Sequence, residues 1–170
     1  MSDLPATRGL IDRLSEATGR AAAWLTLAMV IVSFVIVIVR YVFDSGFIWL
    51  QESLTWMHAA VFMLGAAYTL QRDEHVRVDI FYRDMSPARQ SMVNLFGVIF
   101  FIFPLCVFFV IEGFDYVRTS WLIHEVSRNA GGLPYPAVPL LKSFLLLMPL
   151  AVALQGLSMA LRSLSELRGS

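Results

Sequence analysis

The chain has 170 residues, of which 58% are hydrophobic and only 15% are charged. Soluble domains are roughly half apolar and about a quarter charged, so this composition indicates an integral membrane protein. Thirteen basic residues balance thirteen acidic ones, and the basic residues are scattered, which argues against nucleic-acid binding. Cys106 is the only cysteine, so an internal disulfide and a thiolate metal cluster are both excluded.

The N-terminal segment, residues 4–20, places Leu10, Ile11 and Leu14 near one helical face and its charged residues on the others. This pattern predicts a short amphipathic helix that lies on the inner membrane surface. A frayed tail is the alternative.

Four apolar stretches follow, and they predict transmembrane helices over residues 21–39, 53–70, 92–111 and 140–161. The first stretch has about nineteen residues, which at about 1.5 Å per residue matches the hydrocarbon thickness of a bilayer. Small residues precede this stretch and Arg40 follows it, unlike a cleaved signal peptide, so it is predicted to be retained. The fold class is therefore predicted to be an all-α integral membrane protein with a single membrane domain, residues 1–170.

Orientation follows from the basic residues, because basic flanks stay on the cytoplasmic side during insertion. Nine of the thirteen lie in the N-terminal segment, in the loop after the second span and in the C-terminal tail. The other side has four: Arg40, Arg118, Arg128 and Lys142. The sequence thus predicts a lipid-embedded protein with both termini on the cytoplasmic side.

Aromatic and charged residues gather at the predicted outer boundary. Trp49, Trp56 and Trp121 fit an interfacial aromatic belt. Arg40 and Glu52 flank the short outer loop and are expected to pair with each other or with a neighbouring subunit. The seven residues of the candidate partner interface are Arg40, Trp49, Glu52, Trp56, Asp115, Arg118 and Trp121.

The third helix is predicted to continue past the membrane over residues 112–128. Charged residues, including Asp115 and Arg118, recur there at near-helical spacing beside an apolar stripe, until Gly131 and Gly132 break the pattern. Such an amphipathic extension could lie on the outer leaflet or receive a soluble partner.

Two prolines are predicted to interrupt the last two spans. Pro104 and Pro149 each remove a helical hydrogen bond, and each lies about a dozen residues from the cytoplasmic end of its span. The kinks should therefore sit at similar depth. A packing kink and a hinge are both open interpretations.

No cluster of ionisable residues lies at the predicted bilayer centre, so neither a catalytic site nor a metal or cofactor site is predicted. Of the three histidines, only His58 can lie within the membrane, since His75 is predicted cytoplasmic and His124 extracytoplasmic. Paired axial ligands for haem could not meet in this arrangement. Quinone is less strongly excluded.

Six motifs lie along the chain: RYVF at 40–43, Trp49 with Glu52 and Ser53, GAA at 65–67, HVRVD at 75–79, MSP at 85–87 and GLPYP at 132–136. Together they resemble the small permease subunit of tripartite ATP-independent periplasmic (TRAP) transporters, over about residues 15–164, which implies a location in the bacterial inner membrane. The stretch 49–79 looks most like the branch labelled for mannitol or chloroaromatic compounds.

The resemblance implies a non-catalytic scaffold beside a large permease subunit, which would hold the sodium and substrate sites of a secondary active symporter. It also implies a periplasmic substrate-binding protein that delivers a small organic solute, expected to be a carboxylate, and that docks on the outer surface. For His75, Arg77 and Asp79 it suggests a structural role at the inner interface, with a merely solvated turn as the alternative.

Two functions of other classes stay open at this point. The chain could be the membrane anchor of a respiratory oxidoreductase, which predicts bound haem or quinone. It could also be an independent four-helix transporter that works as a dimer and needs no large partner.

Overall fold

A computed structural model of the protein describes the backbone of residues 4–72, 82 and 84–169, and side chains among these from residue 11 to residue 168. The described part is helical and contains no β-strand, which confirms the predicted all-α class. The helices are α1 (Leu4–Val42), α2 (Ile48–Gln71), α3 (Pro87–Gly97), α4 (Phe103–Leu122) and α5 (Ala137–Gly169), with a π-helical turn (Val98–Ile102) joining α3 to α4.

Three helical stretches within the described residues are long and apolar enough to cross a membrane: Ile11–Val42, Pro87–Leu122 and Ala137–Arg168. They contain three of the four predicted spans. The remaining predicted span lies in α2, which is not among them. A crossing by α2 therefore stays a prediction.

The helices pack in a row in the order α1, α2, α5, α4, and α5 also contacts α3 and α1. Polar contacts lie at both ends of the helices. At one end, Gln71 Nε2 at the end of α2 donates to the Asp12 carbonyl of α1 at 3.1 Å, and Ser91 of α3 donates to Glu166 of α5. This end, which includes both helical chain termini, is called the inner end, and the opposite one the outer end.

The prediction of a separate amphipathic N-terminal helix is wrong, because residues 4–42 form one continuous helix. Two of its polar side chains bond to α5. Asp12 pairs with Arg162 of α5, and Ser15 Oγ donates to Gln155 Oε1 at 3.0 Å. These contacts extend α1 beyond the predicted span.

The third helix does continue past residue 111, as predicted, but the predicted end at residue 128 is wrong, since α4 ends at Leu122. His124 has a φ of +50°, which a regular right-handed helix does not allow. The chain then runs irregularly from residue 125 to residue 136, a segment called the α4–α5 loop.

The two prolines differ in their surroundings, since Pro104 in α4 is exposed and Pro149 in α5 is buried. The π-helical turn directly precedes Pro104, and the Phe103 N–H bonds to the Val98 carbonyl within it, as expected where a helix adjusts to a proline. Pro149 is fully buried inside α5. It shares an apolar cleft of about 220 Å³ with Cys106, two residues after Pro104. The kink and the hinge stay predictions.

A close approach between α1 and α2 gives the first testable prediction. A Cβ on Gly19 would lie 2.5 Å from two ring atoms of Tyr68. We expect Gly19→Ala to destabilise the protein by about 1–3 kcal/mol, because the overpacked ring must move the two helices apart. Thermal unfolding of the detergent-purified protein measures this effect.

The matched control is Gly97→Ala, since a Cβ there meets no atom within 4 Å. This variant should unfold at or slightly above the wild-type temperature, because alanine has the higher helix propensity. Equal unfolding temperatures for both variants would contradict the α1–α2 packing.

Candidate functional site at the outer end

The carboxylate of Glu52, near the start of α2, is held by the α4–α5 loop. Its Oε1 accepts hydrogen bonds from Ser127 Oγ at 2.5 Å and from Asn129 Nδ2 at 2.8 Å. Its Oε2 accepts one from the backbone N–H of Leu133 at 2.7 Å. These partners lie 75 to 81 residues away along the chain, so one side chain ties the start of α2 to the α4–α5 loop.

Two glycines let the loop approach the carboxylate. Gly131 has a φ of +77°, a conformation that side chains disfavour, and its carbonyl accepts the N–H of Trp49 at 3.1 Å. A Cβ on Gly132 would lie 2.7 Å from both carboxylate oxygens of Glu52. The sequence motifs around Glu52 and around Gly132 therefore lie against each other in the fold.

The hydrogen bonds also affect the charge of Glu52. The bond from Ser127, then those from the Leu133 N–H and from Asn129, lower the pKa of the Glu52 carboxyl below its ordinary value. Glu52 is therefore ionised at neutral pH, and its negative charge is distributed over three donors.

A second contact closes the α4–α5 hairpin. Lys142 Nζ lies 2.6 Å from Glu125 Oε2 and 3.9 Å from the centre of the Tyr116 ring. The hydrogen bond from Lys142 lowers the pKa of the Glu125 carboxyl. Trp121 Nε1 donates to Ser143 Oγ at 3.0 Å, which adds a neutral link between α4 and α5.

An open cleft of about 600 Å³ lies between these two contacts. It is called the outer cleft. Its walls come from α2, α4, α5 and the α4–α5 loop, and they include Glu52, Thr55, Trp56, Tyr116, Arg128 and Lys142. Carboxylates, cations and aromatic rings thus line one recess, which is suited to polar protein contacts.

The predicted interface residues do not all meet. Glu52 and Trp56 line the outer cleft, and Trp121 is bonded to α5. Asp115 and Arg118 are exposed on α4. The remaining two, Arg40 and Trp49, lie at the connection between α1 and α2, where Arg40 borders a small recess and Trp49 contacts the Phe47 ring.

The predicted pairing of Arg40 with Glu52 is wrong, because the α4–α5 loop occupies both carboxylate oxygens. Within the described part of the chain, Arg40 makes no ion pair. The predicted inner-turn residues His75, Arg77 and Asp79 lie outside the described residues.

The inner end contains a polar network that sequence reasoning missed. Gln155 is 2% exposed, accepts a hydrogen bond from Ser15 and donates to Asp12 Oδ1 at 3.3 Å, beside the pair of Asp12 with Arg162. The signal was present, since polar residues recur along one face of the last helix at 155, 158, 162 and 166. In the described ranges, no group of three or more His, Cys, Asp or Glu residues could hold a metal ion.

Comparison with known proteins identifies the family. Residues 29–168 match the family described as "Tripartite ATP-independent periplasmic transporters, DctQ component". The chain belongs to this family. The resemblance found in the sequence motifs is confirmed, and the chain is a small membrane subunit of a TRAP transporter and not an enzyme.

Two relatives illustrate the DctQ match. The C4-dicarboxylate TRAP transporter small permease protein DctQ of Vibrio cholerae is 34% identical over 62 residues, covering 36% of this chain and 26% of the relative. A putative TRAP transporter small permease protein of Haemophilus influenzae is 26% identical over 131 residues, covering 75% of this chain and 76% of the relative. The chain thus matches only about a quarter of the length of the Vibrio cholerae protein. No solved structure matches it.

The mannitol or chloroaromatic branch suggested by residues 49–79 stays a prediction. Family membership and the apolar helices support a multi-pass location in the inner membrane.

The hydrogen bonds of Glu52 give a second prediction. We expect Glu52→Gln to speed hydrogen exchange of the backbone amides at 127–133, because an amide group cannot accept at both of its terminal atoms. Mass spectrometry of exchange in detergent micelles measures the effect. Glu112→Gln is the control, since Glu112 is exposed on α4 outside the loop.

Acidification should have the same effect on the wild-type protein. Because the folded pKa of Glu52 is lowered, its contribution is fully present above the ordinary value of 4.5 and is lost as the pH falls through the lower folded value. The difference between wild type and Glu52→Gln isolates this residue, since Glu125 is unchanged in both. Identical acid profiles for the two proteins would contradict the role of the Glu52 carboxylate.

Proposed function

We propose that the chain crosses the membrane four times, with both termini in the cytoplasm. The position of α2 supports this proposal, because Glu52 near its start bonds to the α4–α5 loop and Gln71 at its end bonds to the inner end of α1. The helix between them is about 28 Å long, close to the hydrocarbon thickness of a bilayer.

Within the TRAP transporter, this chain acts as a scaffold for the large permease subunit. The observation that carries this proposal is that the bonded charged side chains join the helices to one another or to the α4–α5 loop at the two ends. Glu125 binds Lys142, Asp12 binds Arg162, and Glu52 holds the α4–α5 loop. Charges that fix helices in place suit a wall against which another subunit moves.

The outer end provides the docking surface for the periplasmic substrate-binding protein. Asp115 and Arg118 are exposed on α4, and the outer cleft lies beside that helix with further charged and aromatic walls. Because Glu52 and Lys142 hold this surface in one conformation, docking costs little ordering entropy.

Transport in this assignment is sodium-coupled symport of a small organic solute, expected to be a carboxylate. The family resemblance supports this part of the proposal. The substrate and sodium sites are assigned to the large permease, and the phrase "C4-dicarboxylate" in the name of the Vibrio cholerae relative concerns that protein.

An oxidoreductase anchor receives no support from the described histidines. His58 lies on the exposed face of α2, whereas His124 lies beyond the end of α4 beside the Tyr135 ring. Membership in a transporter family favours the scaffold over this alternative.

Topology provides the first test of the proposal, using single cysteines in a Cys106→Ala background. Four exposed positions alternate between the two ends: Ser45, Arg89, Ala130 and Ser165. A membrane-impermeant maleimide should label cysteines at 45 and 130 in intact cells with permeabilised outer membranes, because both positions face the periplasm. Cysteines at 89 and 165 should react only after the inner membrane is opened.

Labelling at positions 45 and 89 from the same side would show that α2 does not cross the membrane. Labelling at 165 in intact cells would place the C-terminus outside.

Charge reversal on α4 tests docking. We expect Asp115→Lys and Arg118→Glu each to weaken binding of the substrate-binding protein by about tenfold, since like charges facing each other across an interface are repelled. Binding to the purified membrane complex can be followed by surface plasmon resonance. Arg168→Glu at the inner end is the matched control and should leave docking unchanged, whereas unaltered docking in both α4 variants would remove α4 from the docking surface.

A further inference from the structure

One face of α2 carries an exposed stripe with an unusual composition. Gln51, Thr55, His58, Phe62, Gly65 and Thr69 follow one another at alternating spacings of four and three residues, so they share one side of the helix. The first four are exposed, and a Cβ on Gly65 would meet no atom within 4 Å. This set of six residues is called the α2 stripe.

The other long helices expose a different surface to the membrane. Their exposed side chains at the centre of the predicted spans are large and apolar, as lipid contact requires. They include Leu27, Val30 and Phe34 of α1, Leu105, Phe108 and Ile111 of α4, and Leu147, Leu150 and Leu154 of α5. The α2 stripe therefore carries polar side chains, whereas the exposed side chains named on the other helices are apolar and compatible with lipid.

The threonines of the stripe are satisfied by their own helix. Thr55 Oγ1 bonds to the Gln51 carbonyl at 3.4 Å, and Thr69 Oγ1 bonds to the Ala66 carbonyl at 2.9 Å. Such bonds are common in membrane helices and need no partner.

The imidazole of His58, in contrast, forms no hydrogen bond of this kind. Its ring packs edge-on against Phe62 at 4.8 Å, but it forms no hydrogen bond to another described residue. It lies six residues inward from Glu52, about 9 Å along the helix axis, so it is below the polar boundary of the membrane. Hydrocarbon offers no hydrogen-bond partner, and an imidazole is too short to reach the headgroups as lysine or arginine does.

We infer that the α2 stripe is the surface on which a transmembrane helix of the large permease packs, with a hydrogen-bonding side chain opposite His58. This inference rests on the proposed scaffold function and names the face that performs it. Gly65 lets the partner helix approach closely, as small residues do at membrane helix contacts. Thr55 belongs to both the stripe and the outer cleft, so the partner surface continues into that cleft.

Photocrosslinking in the intact complex tests this assignment with three matched positions. Phe62, Phe34 and Phe101 are the same residue type and are 67%, 64% and 66% exposed, on α2, on α1 and in the π-helical turn respectively. The photoreactive amino acid p-benzoylphenylalanine would replace each in turn, in cells that also contain the tagged large permease. We expect a crosslink to the large permease from position 62 and none from positions 34 and 101.

Three results would overturn the inference. One is a crosslink to the large permease from position 34 or 101 but not from 62. Another is a crosslink from 62 to a second copy of this chain. The third is lipid adducts alone at 62 although the large permease copurifies.

A substitution at Gly65 provides an independent measurement. Gly65→Leu fills the open space, and we expect about tenfold less large permease to copurify with this variant, as the loss of one close helix contact would give. Gly97→Leu is the matched control because its Cβ also meets no atom within 4 Å, and it should leave copurification unchanged. Circular dichroism of each isolated variant verifies that the helices are intact.

The scaffold function and the assignment of the α2 stripe are contradicted by different results. If the wild-type chain does not copurify with a large permease, the scaffold function is wrong. If it copurifies and Gly65→Leu binds as well as wild type, the function stands and the assignment of the α2 stripe is wrong.

Discussion

Hydrocarbon offers neither a donor nor an acceptor, so a polar side chain in a membrane protein must reach water, pair within the chain or contact another protein. The first two of these solutions are present in the described part of the chain. Asp115 and Arg118 are exposed at the outer end, and Glu52, Lys142 and Asp12 pair within the chain. The α2 stripe is assigned to the third solution, and the shape and role of the subunit follow from this distribution.

At the outer end, this need for hydrogen-bond partners explains the sequence motifs around Glu52 and Gly132. The carboxylate of Glu52 needs three donors, those donors need a tightly turned loop, and the loop needs glycine at 131 and 132. A substitution on either side of this contact would therefore disturb the other side. The charged and aromatic walls of the outer cleft depend on it as well, which links a local hydrogen-bond pattern to the proposed docking surface.

Sequence reasoning predicted the helical class and the family, because hydrophobic length and local motifs are visible in a single sequence. It missed features that depend on distant contacts. The pairing of Asp12 with Arg162 extends α1, and the partners of Glu52 lie 75 or more residues away. The end of α4 was also misplaced, since amphipathic spacing continues past Leu122 although the backbone turns at His124.

We propose that this chain is an accessory subunit that works only beside a large permease. Mild-detergent purification of the tagged chain from its native membranes, followed by native mass spectrometry, provides the decisive test. We expect a complex that contains this chain and one large multispanning protein. Recovery of the chain alone, or only with further copies of itself, would contradict it.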